Sequence, residues 1–353
     1  MKKTLPRMLM VMVVWLGAHT LVAGESASSA TNKAAALYLQ NDLLAAPFSA
    51  HRGSFFYSTL GIPMMETADT LPPNTVYLRV RTGCSASARG PTMANDEERR
   101  QYIQETVHNG DTPTDIFSGW YATWLAMEAS FGVLPWLEIG GRVAYAGWTE
   151  HEDTFYLFDA KGTPLVRWEG LDIYNRGASG RQDDLSDVVL KAKARVLRSG
   201  DSDVHNTLSL GASVKLPAGS PRDLEDAGTT DLALSILDTL DMGSLSLHAS
   251  VSDIIPTGRQ NLFIPEDDIA LHSFVAGSVG LTWRTSDTLA LGLQAEGNTS
   301  AFADVPFLDG NVLTVTAGAR KLIGCYVLEA GAGKGCTAVS YDWSGYLAIG
   351  RCL

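Results

Sequence analysis

The chain has 353 residues, 27 basic and 39 acidic, a formal net charge of −12, and 45% hydrophobic residues at a mean hydropathy of +0.03. Such an acidic balance argues against nucleic acid as a partner. A hydropathy near zero, with no long apolar run after the first residues, excludes a bundle of transmembrane helices.

Lys2, Lys3 and Arg7 precede the apolar run 8–16 and the small residues around Val22, Ala23 and Gly24. That order predicts a secretory signal peptide over residues 1–24, cleaved after Ala23 or Gly24. The run is short for a membrane span, and no cysteine follows it to carry a lipid. Its removal takes away three cations and no anions, leaving 24 basic and 39 acidic residues. Residues 25–74 do not alternate. A short helix is expected over 34–44, and Arg52, Gly53, Gly61, Pro63, Pro72 and Pro73 punctuate the remainder of that stretch. The segment reads as a periplasmic lead-in or plug.

From residue 75 the pattern has a period of two, the signature of strands with unlike faces. Val76, Leu78 and Val80 oppose Tyr77, Arg79 and Arg81 in a first strand. A polar stretch over 85–115 is a loop. Tyr121, Leu125, Met127, Ala129 and Phe131 mark a second strand, Leu134-Pro135 a tight turn, and Leu137, Ile139, Gly141, Val143 and Tyr145 a third. A long acidic and aromatic connection over 148–186 holds a candidate hairpin at Phe155 to Phe158. The clearest alternation begins after it. Val188, Leu190, Ala192, Ala194 and Val196 oppose Lys191, Lys193 and Arg195. Leu208, Leu210, Ala212, Val214 and Leu216 oppose Thr207, Ser209, Gly211, Ser213 and Lys215. Leu232, Leu234 and Ile236 form a less clean strand, and Leu245, Leu247, Ala249 and Val251 oppose Ser244, Ser246, His248, Ser250 and Ser252. Further strands are marked by Leu271 to Trp283, Leu289 to Ala295, Leu313 to Ala319 and Tyr326 to Ala332. The last runs through Val339, Tyr341 and Trp343, shifting to Leu347 and Ile349.

Strands of about ten residues suit a tilted bilayer crossing better than a soluble sandwich. The connections alternate long and short along the chain, as an outer-membrane barrel requires, except for a tight hairpin expected near Gly335. The fold expected is therefore all-β: a closed antiparallel transmembrane β-barrel of about twelve strands over 75–353, both ends periplasmic, in the cell outer membrane. Tyr121, Tyr145, Trp148, Trp283, Tyr326, Tyr341 and Trp343 lie near strand ends, as girdle residues would. The acidic loops are solvated, or share divalent cations with an anionic outer leaflet.

Catalytic and metal motifs are poor. Gly331-Ala332-Gly333-Lys334-Gly335 lacks both the first glycine and the hydroxyl residue of a phosphate loop. The seven histidines have no metal-ligand spacing, and no cofactor is expected. His248, between Ser246 and Ser250, is the one local grouping that suggests a barrel hydrolase. Lys191, Lys193, Arg195, Lys215, His248, Arg284, Glu296 and Arg320 all fall on the polar parity and are candidate lumen residues. With Glu128, Glu138 and Glu329 they either pair across the interior or line a water-filled route. In an exported chain the four cysteines can pair, and the topology suggests Cys84 with Cys336 and Cys325 with Cys352 at opposite rims. A Cys325 to Cys336 bridge would have to span a whole strand.

Arg52-Gly53, Leu60-Gly61-Ile62-Pro63, Leu71-Pro72-Pro73, Asp187-Val188-Val189-Leu190-Lys191, Val214-Lys215-Leu216-Pro217-Ala218-Gly219 and Gly228-Thr229-Thr230-Asp231 together resemble an uncharacterised domain-of-unknown-function family of Gram-negative exported proteins over residues 47–300. More loosely the chain is similar to barrels assigned to a phenol meta-cleavage pathway. The resemblance implies an outer-membrane barrel passing small apolar or aromatic solutes, and it implies no catalytic residue. The function expected is a non-enzymatic narrow channel or structural envelope protein, with outer-membrane lipid, lipopolysaccharide and the barrel assembly machinery as partners. The alternatives are a barrel enzyme acting on lipid and a soluble periplasmic β-rich binding protein.

Overall fold

A computed structural model describes residues 43–48, 66–87, 114–158, 164–169, 182–201, 204–218, 230–257, 259–260, 269–301, 311–337 and 340–353. The predicted signal peptide and helix at 34–44 lie outside them, apart from residues 43 and 44. In chain order the strands are β1 (Val76–Ser87), β2 (Thr114–Leu134), β3 (Leu137–Phe158), β4 (Pro164–Glu169), β5 (Gln182–Gly200), β6 (Val204–Leu216), β7 (Asp231–Met242), β8 (Leu245–Pro256), β9 (Arg259–Gln260), β10 (Ile269–Ala270), β11 (Phe274–Ser286), β12 (Leu289–Asn298), β13 (Val312–Ile323), β14 (Tyr326–Gly335) and β15 (Trp343–Cys352).

Twelve of these, all but β4, β9 and β10, pair antiparallel with both neighbours. The ring closes where β1 takes β15 on one side, Tyr77 opposite Cys352, and β2 on the other, Val76 opposite Phe131. Closure gives each of these twelve strands a partner on both sides, the condition a sheet must meet to cross hydrocarbon. No helix among the described residues is long and apolar enough to do so.

The burial pattern is inside out. Along β8, Ser246, His248, Ser250 and Ser252 are buried, whereas Leu247, Ala249 and Val251 are exposed. The same inversion holds on the other strands whose burial is described: Leu234, Val279 and Leu347 are 64%, 60% and 61% exposed, while Thr207, Gln294 and Thr316 are buried. In a soluble sandwich those leucines and valines would meet a second layer. Here no described part of the chain covers them.

Two-residue turns at Pro135-Trp136, Gly243-Ser244, Asp287-Thr288 and Gly324-Cys325, with a short connection at 201–203, lie at the end that also holds both Val76 and Leu353. Gly243 and Gly324 have φ of 65° and 59°, the left-handed conformation that such turns demand and glycine supplies without strain. The longer connections all lie at the other end. The tight hairpin expected near Gly335 is not tight: residues 336–342 separate β14 from β15, so the length alternation is complete.

Other departures are local. β5 carries a bulge at Arg195/Leu197, which leaves Val196 and Leu197 both exposed and ends the clean alternation. β11 begins at Phe274 rather than 271. Tyr341 is buried ahead of β15, so it is no girdle residue, and this explains the parity shift read in the last strand. The hairpin expected at 155–158 exists: β4 pairs with the outer part of β3, Phe155 opposite Trp168. β2 and β3, at 21 and 22 residues, run on together past the barrel.

Candidate functional site

The lumen is occupied by the chain's own lead-in, in two pieces that bind opposite walls. Residues 43–48 have no regular hydrogen-bonding ladder, so their carbonyls need donors from the wall. Arg320 of β13 supplies most of them. Its Nη1 donates to the carbonyls of Leu43 at 2.7 Å, Leu44 at 3.4 Å and Ala46 at 2.6 Å, and its Nη2 to Pro47 at 2.8 Å. Nε and Nη2 also bond Glu329, directly opposite on β14. The guanidinium sits 4.9 Å from the Phe48 ring centre. Buried and always charged, an arginine needs this saturation of its five donors.

Phe48 lies where the wall has been cut away. Gly292 and Gly318 face each other across β12 and β13, and a Cβ on either would run into the Phe48 ring. The same level continues around the barrel as Gly331, Tyr346, Gly83 and Trp124, each opposite the next. Tyr346 lies over Gly331 and Trp124 over Gly83. Phe48, Trp124 and Tyr346 form one buried cluster with Ala126 and Ala144. Arg81 stacks on Trp124 at 5.4 Å. Glycines alternating with aromatics thus make a stopper at one level of the lumen. Three glycines of the stretch that imitates a phosphate loop, Gly331, Gly333 and Gly335, are inward positions of β14 shaped by Tyr346, Ser344 and Tyr341.

Residues 66–72 line the opposite wall before a turn at Asn74, φ 61°, feeds β1. Lys193 Nζ donates to the Thr67 carbonyl at 3.1 Å and lies 3.3 Å from Glu138, which accepts the Leu71 N–H at 3.1 Å. Thr207 donates to Asp69 at 3.1 Å, Ser209 to the Ala68 carbonyl, and Thr70 to the Pro135 carbonyl at 2.9 Å. Lys191 pairs with Glu66. Burial pushes the Glu66 carboxyl up, but the Lys191 and Lys193 ammonium groups outweigh it and hold the group below its ordinary value of 4.5.

His248 joins the two pieces. The Ala68 N–H donates to Thr239 Oγ1 at 3.0 Å, Thr239 meets His248 Nδ1 at 3.1 Å, and Nε2 meets the Ala45 carbonyl at 2.8 Å. Because a carbonyl can only accept, Nε2 carries the proton and Nδ1 accepts from Thr239.

Of the eight predicted lumen residues, Lys191, Lys193, His248 and Arg320 therefore converge on the lead-in. Lys215 is fully buried against Asp231, 2.8 Å away across β6 and β7. Glu296 is buried nearer the long-loop end. Arg195 and Arg284 instead cap turns at the short-connection rim, donating to the carbonyls of Pro135, at 2.8 Å, and Gly243. The charges pair with the neighbouring strand rather than across the interior. Lys193 with Glu138, Lys215 with Asp231, Arg320 with Glu329 and Arg79 with Glu128 are each directly opposite in register, the geometry in which cross-strand pairs interact. Sequence reasoning had no signal for Glu66 or for the carbonyls of 43–48.

All four cysteines are free thiols. β15 lies between β14 and β1, which separates Cys84 from Cys336 and overturns that pairing. Cys325 and Cys352 do continue the β14–β15 register one step beyond Tyr326 and Arg351, yet they are not joined.

No protein-family model matches this chain, and no curated protein matches it. The likeness to an uncharacterised exported family thus finds no support in either comparison. Solved structures similar in shape include a NanC porin, 9% identical, covering 78% of this chain and 98% of its own at a TM-score of 0.43. The translocator domain of autotransporter NalP from Neisseria meningitidis is 10% identical, covers 79% and 88%, and scores 0.39. A BenF-like porin from Pseudomonas fluorescens Pf-5 is 6% identical, covers 79% and 97%, and scores 0.34. Likenesses this distant carry no argument about function, so the ring of strand ladders alone identifies the fold: a closed, antiparallel, twelve-stranded β-barrel with part of its own chain in the lumen.

Proposed function

We propose that this protein is an outer-membrane β-barrel, a narrow channel for small solutes that its own lead-in holds closed in the state described. The observation that carries the membrane reading is the predominantly apolar outer wall around a polar, charge-paired interior. The end with tight turns and both termini is then periplasmic, and the longer connections face outward toward lipopolysaccharide. The barrel assembly machinery and a cleaved signal peptide belong to the same proposal.

The channel reading rests on how residues 43–48 are held. Arg320, His248 and Thr282 bond their carbonyls, and Phe48 and Leu43 pack into apolar clusters, without a covalent link to the wall or a strand ladder, so the piece can leave while the wall stays closed. Once Phe48 has left with that piece, Trp124 and Tyr346 offer stacking faces to small aromatic solutes, the class the family resemblance implies. A purely structural envelope role is the same barrel with a lead-in that never leaves.

Planar-bilayer recordings separate the two. Intact protein is expected to be silent, and deletion of 43–48 or Arg320→Ala to give stepwise currents. Variants that insert, keep the heat-dependent gel shift of a folded barrel and stay as silent as the parent contradict the channel. The lipid-enzyme alternative gains nothing from His248: both its nitrogens are engaged inside the lumen, away from the lipid boundary. The proposal therefore assigns no catalytic residue.

A further inference from the structure

The outer wall is hollowed at one place. Across β14, β15, β1, β2, β3 and β5, one outward register row reads Tyr326, Arg351, Leu78, Ala129, Gly141, Leu190, each opposite the next. The row above it contributes Ile349, Val80, Met127 and Val143. Ala129 and Gly141 remove bulk at the centre of the first row, and the two rows enclose a groove of about 600 Å3. That lies within the range of about 300–1,000 Å3 for ligand clefts.

Arg351 is the one charged residue in these two outward rows. Its guanidinium stacks on Tyr326 at 5.3 Å, and Nη1 donates to the Tyr326 hydroxyl at 3.3 Å. Its Nε is buried without a hydrogen-bond partner, and no carboxylate among the described residues pairs with it. The inward arginines, by contrast, find theirs: Arg79 and Arg81 take Glu128, and Arg320 takes Glu329. Half-buried on an apolar wall, this cation is stabilised when an anion comes to it from outside.

We infer that the groove holds a glycerophospholipid of the periplasmic leaflet, its phosphate on Arg351 and one acyl chain along Leu78, Val80, Met127 and Gly141. This rests on the membrane reading, which places Arg351, near the end of β15 beside the tight turns, at the periplasmic headgroup level. Lipopolysaccharide belongs to the opposite leaflet. The groove supplies what a phospholipid needs, a trough for a chain and a donor at its mouth, in one continuous row.

Native mass spectrometry of the full-length folded barrel with palmitoyl-oleoyl phosphatidylglycerol tests it. The parent is expected to keep a lipid adduct under collisional activation. Arg351→Ala should weaken retention roughly tenfold, the equivalent of one charge-assisted hydrogen bond, and Gly141→Leu should weaken it by filling the trough. Lys334→Ala, an outward cation at the long-loop end of β14, should change nothing. Diacylglycerol should not be retained, and inorganic phosphate should not compete. Equal retention in Arg351→Ala and the parent, retention of diacylglycerol, or competition by inorganic phosphate overturns the site. Vesicle insertion of each variant is measured alongside. Insertion without selective retention defeats the lipid site alone, whereas failure of the parent to insert defeats the membrane reading itself.

Discussion

A cation on the inward parity of a barrel strand can serve a passing anion or the protein itself, and Arg320 serves the protein. Its donors go to Glu329 and to four carbonyls of residues 43–48, so a charge that the sequence leaves open to pairing or to a water-filled route holds the lead-in in place. Lys215 makes a sharper test, because its pair with Asp231 is fully buried. Lys215→Ala removes the ammonium that faces a buried carboxylate and should lower unfolding stability by about 3–5 kcal/mol, whereas Lys215→Met with Asp231→Leu should restore most of it. Denaturant titration of the barrel in vesicles reads both. The Glu66 carboxyl is held below 4.5 by two lysines. Its stabilising contribution is therefore complete above that ordinary value and fades as the pH falls through the lower folded value. Acidification below the ordinary carboxylate range should loosen the lead-in around Lys191, and Glu66→Gln should remove that acid limb from the pH profile of protease protection. An acid limb unchanged in Glu66→Gln would assign the effect elsewhere. At this scale the inward parity of Lys191, Lys193, Lys215 and Arg320 was legible, because period two assigns a face. Their partners were not, because Glu66, Thr67 and Ala68 reach them from a distant part of the chain.

Period two also made the strands legible, since each wall position has one wet and one apolar side and no second layer confuses the pattern. Twelve ladders stand where alternation put them, and the slips are where a local feature breaks the period: the bulge at Arg195/Leu197 and the inward Tyr341. The piece 43–48 left no trace because its bonds run through backbone carbonyls, which every sequence possesses. The wall did leave one, in Gly292 and Gly318, but only the register that sets them opposite gives it meaning. The outward parity carries a depth-dependent prediction. Ile236→Arg, near the middle of β7, should cost about 2–4 kcal/mol of folding in vesicles, and Ile323→Arg, at the tight-turn rim, only about 0–1. Both residues are outward and exposed, so in water both changes would lie within about 0.5 kcal/mol of neutral. Equal, negligible costs would count against a bilayer around the wall.

The molecule as a whole is a closed ring whose greasy side faces out and whose polar side grips its own amino-terminal region. The inverted burial and the segregation of short and long connections to opposite ends each have a reason in hydrocarbon and none in water. The plug, the rim arginines and the groove at Arg351 take their meaning from that setting. Membrane fractionation tests it most directly. The full-length protein should stay with the membrane pellet through alkaline carbonate washing and migrate differently on a gel before and after heating. Release into the carbonate supernatant, with one mobility heated or not, would contradict the account.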